Sequence, residues 1–188
     1  MESGAKFELC VACEADAKEI ATLVNGAYRP SSRNGGWTHE ADLVAGERTS
    51  SEQVLSLFHK RSVILLLCSG LEIVACVHVQ GGPSCAYIGM LATNPAMQTQ
   101  GLGKQMLLHA EAYAIEHFEA SELKMSVLSS RPELLAFYER RGYALTGEVE
   151  EYPLSAGVGQ PMVSGIQVLS LAKTPANPSF HRTAFGSR

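Results

Sequence analysis

Residues 98–104, Gln-Thr-Gln-Gly-Leu-Gly-Lys, lie between an apolar run and an amphipathic segment, and they constrain the fold more than any other stretch. The run before them, Ala86 to Thr93, has the apolar density of a buried strand. After them, Leu102, Met106, Leu107, Ala110, Tyr113 and Ala114 recur at helical spacing on one face. A strand, a glycine-bearing loop and a helix in that order aim unpaired backbone N–H groups and the positive end of a helix dipole at one point. Such a point attracts an anion, and the usual anion is a phosphate group.

Two common phosphate loops fail on spacing. A P-loop requires Gly-x-x-x-x-Gly-Lys and then Ser or Thr. Here Gln105 follows Lys104, and Gln98 stands five residues before Gly103. A dinucleotide fingerprint requires a third glycine three residues after the second, where this chain has Met106. What remains is Gln-x-x-Gly-x-Gly. A second block, residues 131–143, reads Arg-Pro-Glu-Leu-Leu-Ala-Phe-Tyr-Glu-Arg-Arg-Gly-Tyr, a helix carrying Phe137 and Tyr138 and closed by Gly142-Tyr143. In motif, order and separation the two blocks resemble the signatures of the GNAT superfamily of acyl-CoA-dependent N-acyltransferases. The resemblance covers residues 86–143, and Arg131 stands where many members have Asn.

The rest of the chain supplies elements in a compatible order. Strands are predicted at Phe7–Cys13, Ser62–Cys68, Glu72–Gln80, Ala86–Thr93, Leu123–Leu128, Leu145–Glu151 and Ile166–Lys173. The second and third read as a hairpin about Ser69-Gly70, extended into a three-stranded antiparallel meander. Helices are predicted at Asp16–Tyr28, after an N-cap at Ser50 or Ser51, after the glycine loop, and after Pro132, with Ser130 and Glu133 at capping-box spacing. The resemblance implies an α/β (α+β) fold, a mixed and mostly antiparallel sheet of about seven strands flanked by about four helices. It also implies a splayed strand pair that forms the acyl-CoA cleft. A single domain is expected over residues 1–173, with a frayed tail over 174–188, where two prolines and few apolar residues occur.

Composition limits the partners. A net charge of −4, a pI near 5.9 and no run of Lys or Arg argue against nucleic acid. No apolar run approaches the roughly 18 residues needed to cross a bilayer, and the first residues do not read as a signal peptide, so cytoplasmic placement is the default. The five cysteines are odd in number. Cys10 and Cys13, three apart in a strand, would point to opposite faces, so buried reduced thiols are expected and no metal site is.

Carried over residue by residue, the resemblance implies that pantetheine lies along Met90, Leu91, Ala92 and Thr93. The Leu91 N–H would meet the thioester carbonyl and stabilise its oxyanion. Pyrophosphate would sit on Gln98, Thr99, Gln100, Gly101, Leu102, Gly103 and Lys104, and Phe137 and Tyr138 would flank the arm, with the Tyr138 phenol beside the departing sulfur. Many members carry a glutamate on the strand before the loop, but Tyr87–Leu91 holds no carboxylate. His78, on one strand face with Cys76 and Gln80, is the first alternative base, followed by Glu40, Glu148 and Glu151. The acceptor pocket is expected around Trp37, His39, Glu40 and Arg48 and near Tyr152. The expected activity is transfer of acetyl from acetyl-CoA to a primary amine of a small molecule or peptide, by direct attack, in a monomer or homodimer. A non-catalytic acyl-CoA sensor, and more distantly an ATP-type phosphate enzyme using Lys104, are the alternatives.

Overall fold

Two apolar stretches, Ser62–Ser69 and Glu72–Gly81, pair as an antiparallel hairpin at the centre of the molecule and are buried along most of their length. In the computed structural model, which describes residues 7–30, 39–175 and 186–187, they are strands β3 and β4 of a mixed sheet. Strand β1 (Phe7–Val11), helix α1 (Ala17–Tyr28), the short strand β2 (Val44–Ala45) and helix α2 (Ser51–Leu55) precede them. After them come β5 (Cys85–Thr93), α3 (Leu102–Phe118), β6 (Glu122–Leu128) and α4 (Pro132–Glu139). The chain continues through β7 (Ala144–Glu151), β8 (Gln160–Pro161), β9 (Gln167–Lys173) and β10 (Gly186–Ser187).

The central sheet has seven strands in the order β1-β3-β4-β5-β6-β9-β7, and β10 extends it beside β1. Every neighbouring pair among the seven is antiparallel except β5 with β6. Strands β2 and β8 form a separate two-stranded ribbon. Alternation along β3 explains its continuous apolar sequence: Val63, Leu65 and Leu67 pack with α3, whereas Ile64, Leu66 and Cys68 pack with α1. A strand covered on both faces has no polar side. Met106, Leu107, Ala110 and Ala114 of α3 close one layer, and Ile20, Ala21 and Val24 of α1 close the other.

Several local details depart from the sequence reading. Strand β1 stops at Val11, and Cys13 leads into a 3₁₀ turn at Glu14–Asp16, so that thiol is exposed while Cys10, Cys68 and Cys76 are buried. Helix α2 is capped by Ser50, with Gln53 completing a capping box, and ends at Leu55. Helix α4 has Pro132 in its first turn but Arg131, not Ser130, at the N-cap, and Glu133 pairs with the Arg131 side chain. Beyond β9, Gly186 and Ser187 run parallel to Cys10 and Val11, while residues 176–185 and 188 lie outside the described residues.

Candidate active site

Strands β5 and β6 stay paired for only three residues, Cys85–Glu122, Ala86–Leu123 and Tyr87–Lys124. From Ile88 onward β5 has no registered partner on that side, so the sheet parts at its middle. On its other side β5 pairs with β4 at Gly89–His78 and again at Ala92–Cys76, which leaves Met90 and Leu91 opposite Val77 alone. This is a bulge, and Met90 adopts it with φ of 50°. The left-handed residue is Met90 and not the neighbouring Gly89, whose backbone would adopt that conformation more readily. The extra residue shifts the alternation. Ala86 and Ile88 pack towards α3, Met90 and Ala92 pack towards α1, and Leu91 returns to the α3 side.

The parting opens two cavities that meet at Tyr28, Leu91, Leu134 and Tyr138, which line both. The first, about 240 Å³, holds most of the predicted phosphate loop: Thr93, Gln98, Thr99, Gly101, Leu102, Gly103 and Lys104 line it, with Phe137 and Tyr138 opposite. Gly101 is the N-cap of α3 with φ of 78°, and as a glycine it has no side chain to cap that helix. Its first-turn N–H groups therefore lack the usual intramolecular acceptor. A side chain at Gly103 would meet only the Thr93 methyl, at 3.9 Å. Three predicted residues do not line this cavity: Gln100 is exposed, the buried Ala92 side chain packs with the α1 layer, and Met90, which packs on that layer too, lines the second cavity instead.

One lining residue, Arg141, was not among those predicted for the site. Arg141 donates through Nη1 to the Phe137 carbonyl at 2.5 Å, its guanidinium lies 3.4 Å from the Phe137 ring centroid, and its buried Nε has no partner. Helix polarity accounts for an arginine after α4, but nothing in the spacing shows that the chain turns it into the cleft.

The second cavity, about 390 Å³, lies on the β4 and β7 side and is lined by Glu40, Arg48, His78, Gln80, Glu150 and Tyr152 among others. Glu40 is buried and ion-paired, with Arg29 at 2.5 Å and Arg131 at 3.9 Å, and both guanidinium side chains are themselves buried. Of the other expected pocket residues, Arg48 and Tyr152 line the cavity, His39 does not, and Trp37 lies outside the described residues. Of the β7 carboxylates, Glu150 lines it, whereas Glu148 and Glu151 do not.

His78 lines this cavity too, and its ring is tied down. Its Nε2 lies 2.8 Å from Ser62 Oγ, whose hydroxyl proton goes to the Leu57 carbonyl at 2.5 Å. With that proton committed, Nε2 must donate, which leaves Nδ1 as the lone pair of a neutral ring. Burial first, and the nearby His59 second, push the His78 pKa down to about 4. At the junction the Tyr28 hydroxyl donates to the Leu91 carbonyl at 2.9 Å, and burial lifts its pKa to about 12. Tyr138, buried and packed edge-on against Phe137 and Tyr143, is held well above the usual phenol range by burial and then by Tyr28. It is a hydrogen-bond donor at every ordinary pH.

A parted mixed sheet, an uncapped helix over a glycine loop and a buried phenol where two cavities meet define a class of α/β protein built around an extended cleft. The sequence matches the Acetyltransferase (GNAT) family over residues 27–143, more than half of the chain. The chain belongs to the GNAT acetyltransferase family. No curated protein gives a significant sequence match.

Solved structures agree on the fold. The ribosomal-protein-S18-alanine N-acetyltransferase of Escherichia coli superposes with a TM-score of 0.65 at 18% identity, covering 94% of this chain and all of that one. The IAA acetyltransferase of Bacillus cereus gives 0.62 at 17%, covering 90% of this chain and 100% of the other. A putative streptothricin acetyltransferase of Bacillus anthracis, in complex with acetyl coenzyme A, gives 0.51 at 15%, covering 63% of this chain and 65% of the other.

Proposed function

We propose that the protein is an acetyl-CoA-dependent N-acetyltransferase that passes acetyl to a primary amine by direct attack. The observation that carries this reading is the meeting of two cavities at Leu91 and Tyr138: one is furnished for a phosphate-bearing arm, the other for an acceptor. The α3 N-terminus, Lys104 and the unpartnered Arg141 Nε offer donors to phosphate, while Leu91, Leu134 and Phe137 offer an apolar wall to the arm. Structures of similar fold include a ribosomal-protein-S18-alanine N-acetyltransferase and a spermidine N-acetyltransferase chimera, and another is in complex with acetyl coenzyme A, which favours that donor here.

Each residue then has a distinct task. The unpaired edge of β5 past the bulge presents the Leu91 N–H as a donor to the thioester oxygen, where negative charge develops as the amine nitrogen bonds to carbon. Tyr28 fixes that segment through the Leu91 carbonyl. When the carbon–sulfur bond breaks, the pair of electrons goes to sulfur, and the Tyr138 O–H donates a hydrogen bond to it. A thiol of pKa ~8.5 is a stronger acid than this raised phenol, so the phenol keeps its proton.

Deprotonation of the amine is not a task for His78 in the ground state. An ammonium of pKa ~10.4 lies about 6 units above that ring, a transfer uphill by roughly 9 kcal/mol. The amine therefore enters neutral, at a cost of about 4–5 kcal/mol near pH 7, and His78 Nδ1 accepts from the nitrogen only once its bond to carbon makes it acidic. A panel of amines and peptide N-termini with acetyl-CoA, followed by thiol release, tests the proposal. Amine-dependent release is expected, with kcat/KM climbing as pH rises towards the amine's own pKa. Acetyl-CoA lost at one slow rate whatever amine is present would refute it.

A further inference from the structure

Among the described residues, Arg48 is the one cation lining the acceptor cavity that has no ion-pair partner. Arg29 and Arg131 share the buried Glu40, and Arg131 also pairs with Glu133, but among the described residues no carboxylate lies within ion-pairing distance of Arg48. Residues 31–38, which precede His39, contain no Asp or Glu that could supply one. Glu150 lines the same cavity from the exposed strand β7 and does not pair with it.

The position of Arg48 is built. Asn25 of α1 accepts through Oδ1 from the Arg48 N–H at 2.7 Å and the Thr49 N–H at 3.1 Å, and its Nδ2 donates to the Thr49 carbonyl at 2.8 Å. The Arg48 guanidinium lies 5.5 Å from the Tyr28 ring centroid. The hydroxyl of that ring donates to the Leu91 carbonyl, so one phenol ring neighbours both the guanidinium and the proposed acyl-transfer point.

We infer that Arg48 makes this pocket selective for amines that carry a carboxylate on a short scaffold, the compact amino acids. The inference rests on the acetyltransferase reading for the identity of the amine, but the carboxylate site stands on its own geometry. A guanidinium is never neutral in a protein and matches the two oxygens of a carboxylate with parallel N–H donors. Half-buried beside an aromatic face, it is screened less than a surface charge, so a bound carboxylate gains more from it. The same cation disfavours an ammonium close by, which fits an amine that must lose its proton before attack. A polyamine has no anionic group for Arg48, and with Glu40 ion-paired only Glu150, on the exposed strand β7, would face its second positive charge.

The test is calorimetric binding of glycine, alanine, β-alanine and γ-aminobutyrate, each beside its carboxamide, to the full-length protein in the presence of coenzyme A. Wild type is expected to bind at least one acid roughly tenfold to a hundredfold more tightly than its amide, as a charge-assisted pair implies. Arg48→Gln should bring acid and amide together, and Arg48→Lys, which keeps the charge without the fork, should fall between. Equal binding of acids and amides by wild type, binding of no acid at all, or a preference that survives in a folded Arg48→Gln would overturn the inference. If that variant does not fold, the wild-type ratio decides.

Thiol release with the same compounds separates the two proposals. Amides acetylated as well as acids would leave the transferase reading intact and end this one. Acids bound through Arg48 with no thiol released from any amine would do the reverse.

Discussion

His78 is a histidine that the fold keeps neutral, and this has a measurable cost. Folded, it takes up a proton only near pH 4; unfolded, it does so near the ordinary ~6.5. Between those values the unfolded chain binds more protons, so stability rises with pH across the window. The contribution is complete above about 6.5 and is lost as pH falls through 4, by ~3 kcal/mol in total. Chemical denaturation from pH 7 to pH 4.5 should therefore steepen in wild type relative to His78→Asn, whose remaining slope reports the carboxylates alone; parallel curves would contradict the burial argument. Tyr138 makes the complementary case, a group whose proton is held in place. Replacing it with Phe keeps the edge-on packing with Phe137 and Tyr143 and removes the hydroxyl proposed as the donor to sulfur. We expect kcat to fall by about a hundredfold, in the range of a positioned proton donor, with the dissociation constant for acetyl-CoA within a factor of about three. Single-turnover thiol release beside calorimetry checks both numbers, and an unchanged kcat would remove the phenol from the mechanism.

Elements carried the legible part of this fold. The strands and helices were readable because most of them have one strong signal each: two-residue alternation or an unbroken apolar run in the sheet, a stripe at helical spacing in α1 and α3, Pro132 and Gly142 around α4. Their ends were less readable, because caps compete locally. Ser130 and Arg131 can both precede Pro132, and what selects Arg131 is its long-range contact with the buried Glu40, invisible to neighbours in sequence. The bulge at Met90 was equally hidden, since a non-glycine φ of 50° is imposed by pairing with β4 and not by the residue. In the proposed function, the loop before α3 is the element on which fold and ligand make opposite demands. Gly103 lies in the first turn of a helix, where Ala is favoured by up to ~1 kcal/mol, and its added Cβ would meet only the Thr93 methyl. Gly103→Ala should hold or raise the melting temperature, and Gly103→Val should shift it by no more than a few degrees, while calorimetry records progressive loss of acetyl-CoA affinity. If both variants bind as wild type does, the first turn of α3 is not where the diphosphate rests. Gly101, with φ of 78°, would instead lose stability and binding together, so it discriminates less well.

At the scale of the whole molecule the sheet is two blocks, β1-β3-β4-β5 and β6-β9-β7, joined by three parallel residue pairs. Other contacts have to hold them together. Helix α3 packs on β3, β4 and β5 of the first block, and its Glu111 takes both oxygens to Lys173 of β9 in the second, at 2.9 and 2.7 Å. Tyr138 and Leu134 of α4 face Leu91 across the opening. This division explains why the lining of the candidate site was only half legible. The glycine loop and the Phe-Tyr helix are contiguous motifs, each within one block. The acceptor cavity draws Tyr28, Arg48, His78, Glu150 and Tyr152 from four separate stretches of chain, and no spacing rule connects them. It also follows that a ligand seated in the parting touches both blocks and strengthens a seam that the backbone leaves open. Binding to the folded state alone adds about 2.7 kcal/mol when ligand is at a hundred times its dissociation constant. For a chain of this length each kcal/mol is worth roughly 2–4 °C. Saturating acetyl-CoA should thus raise the melting temperature by about 5–10 °C, and amide exchange should slow at Ile88–Thr93 and in β6 together, on both sides of the gap. Protection confined to the glycine loop and α3 would mean that the diphosphate binds while the arm stays out of the parting, and the two cavities would then have no ligand in common.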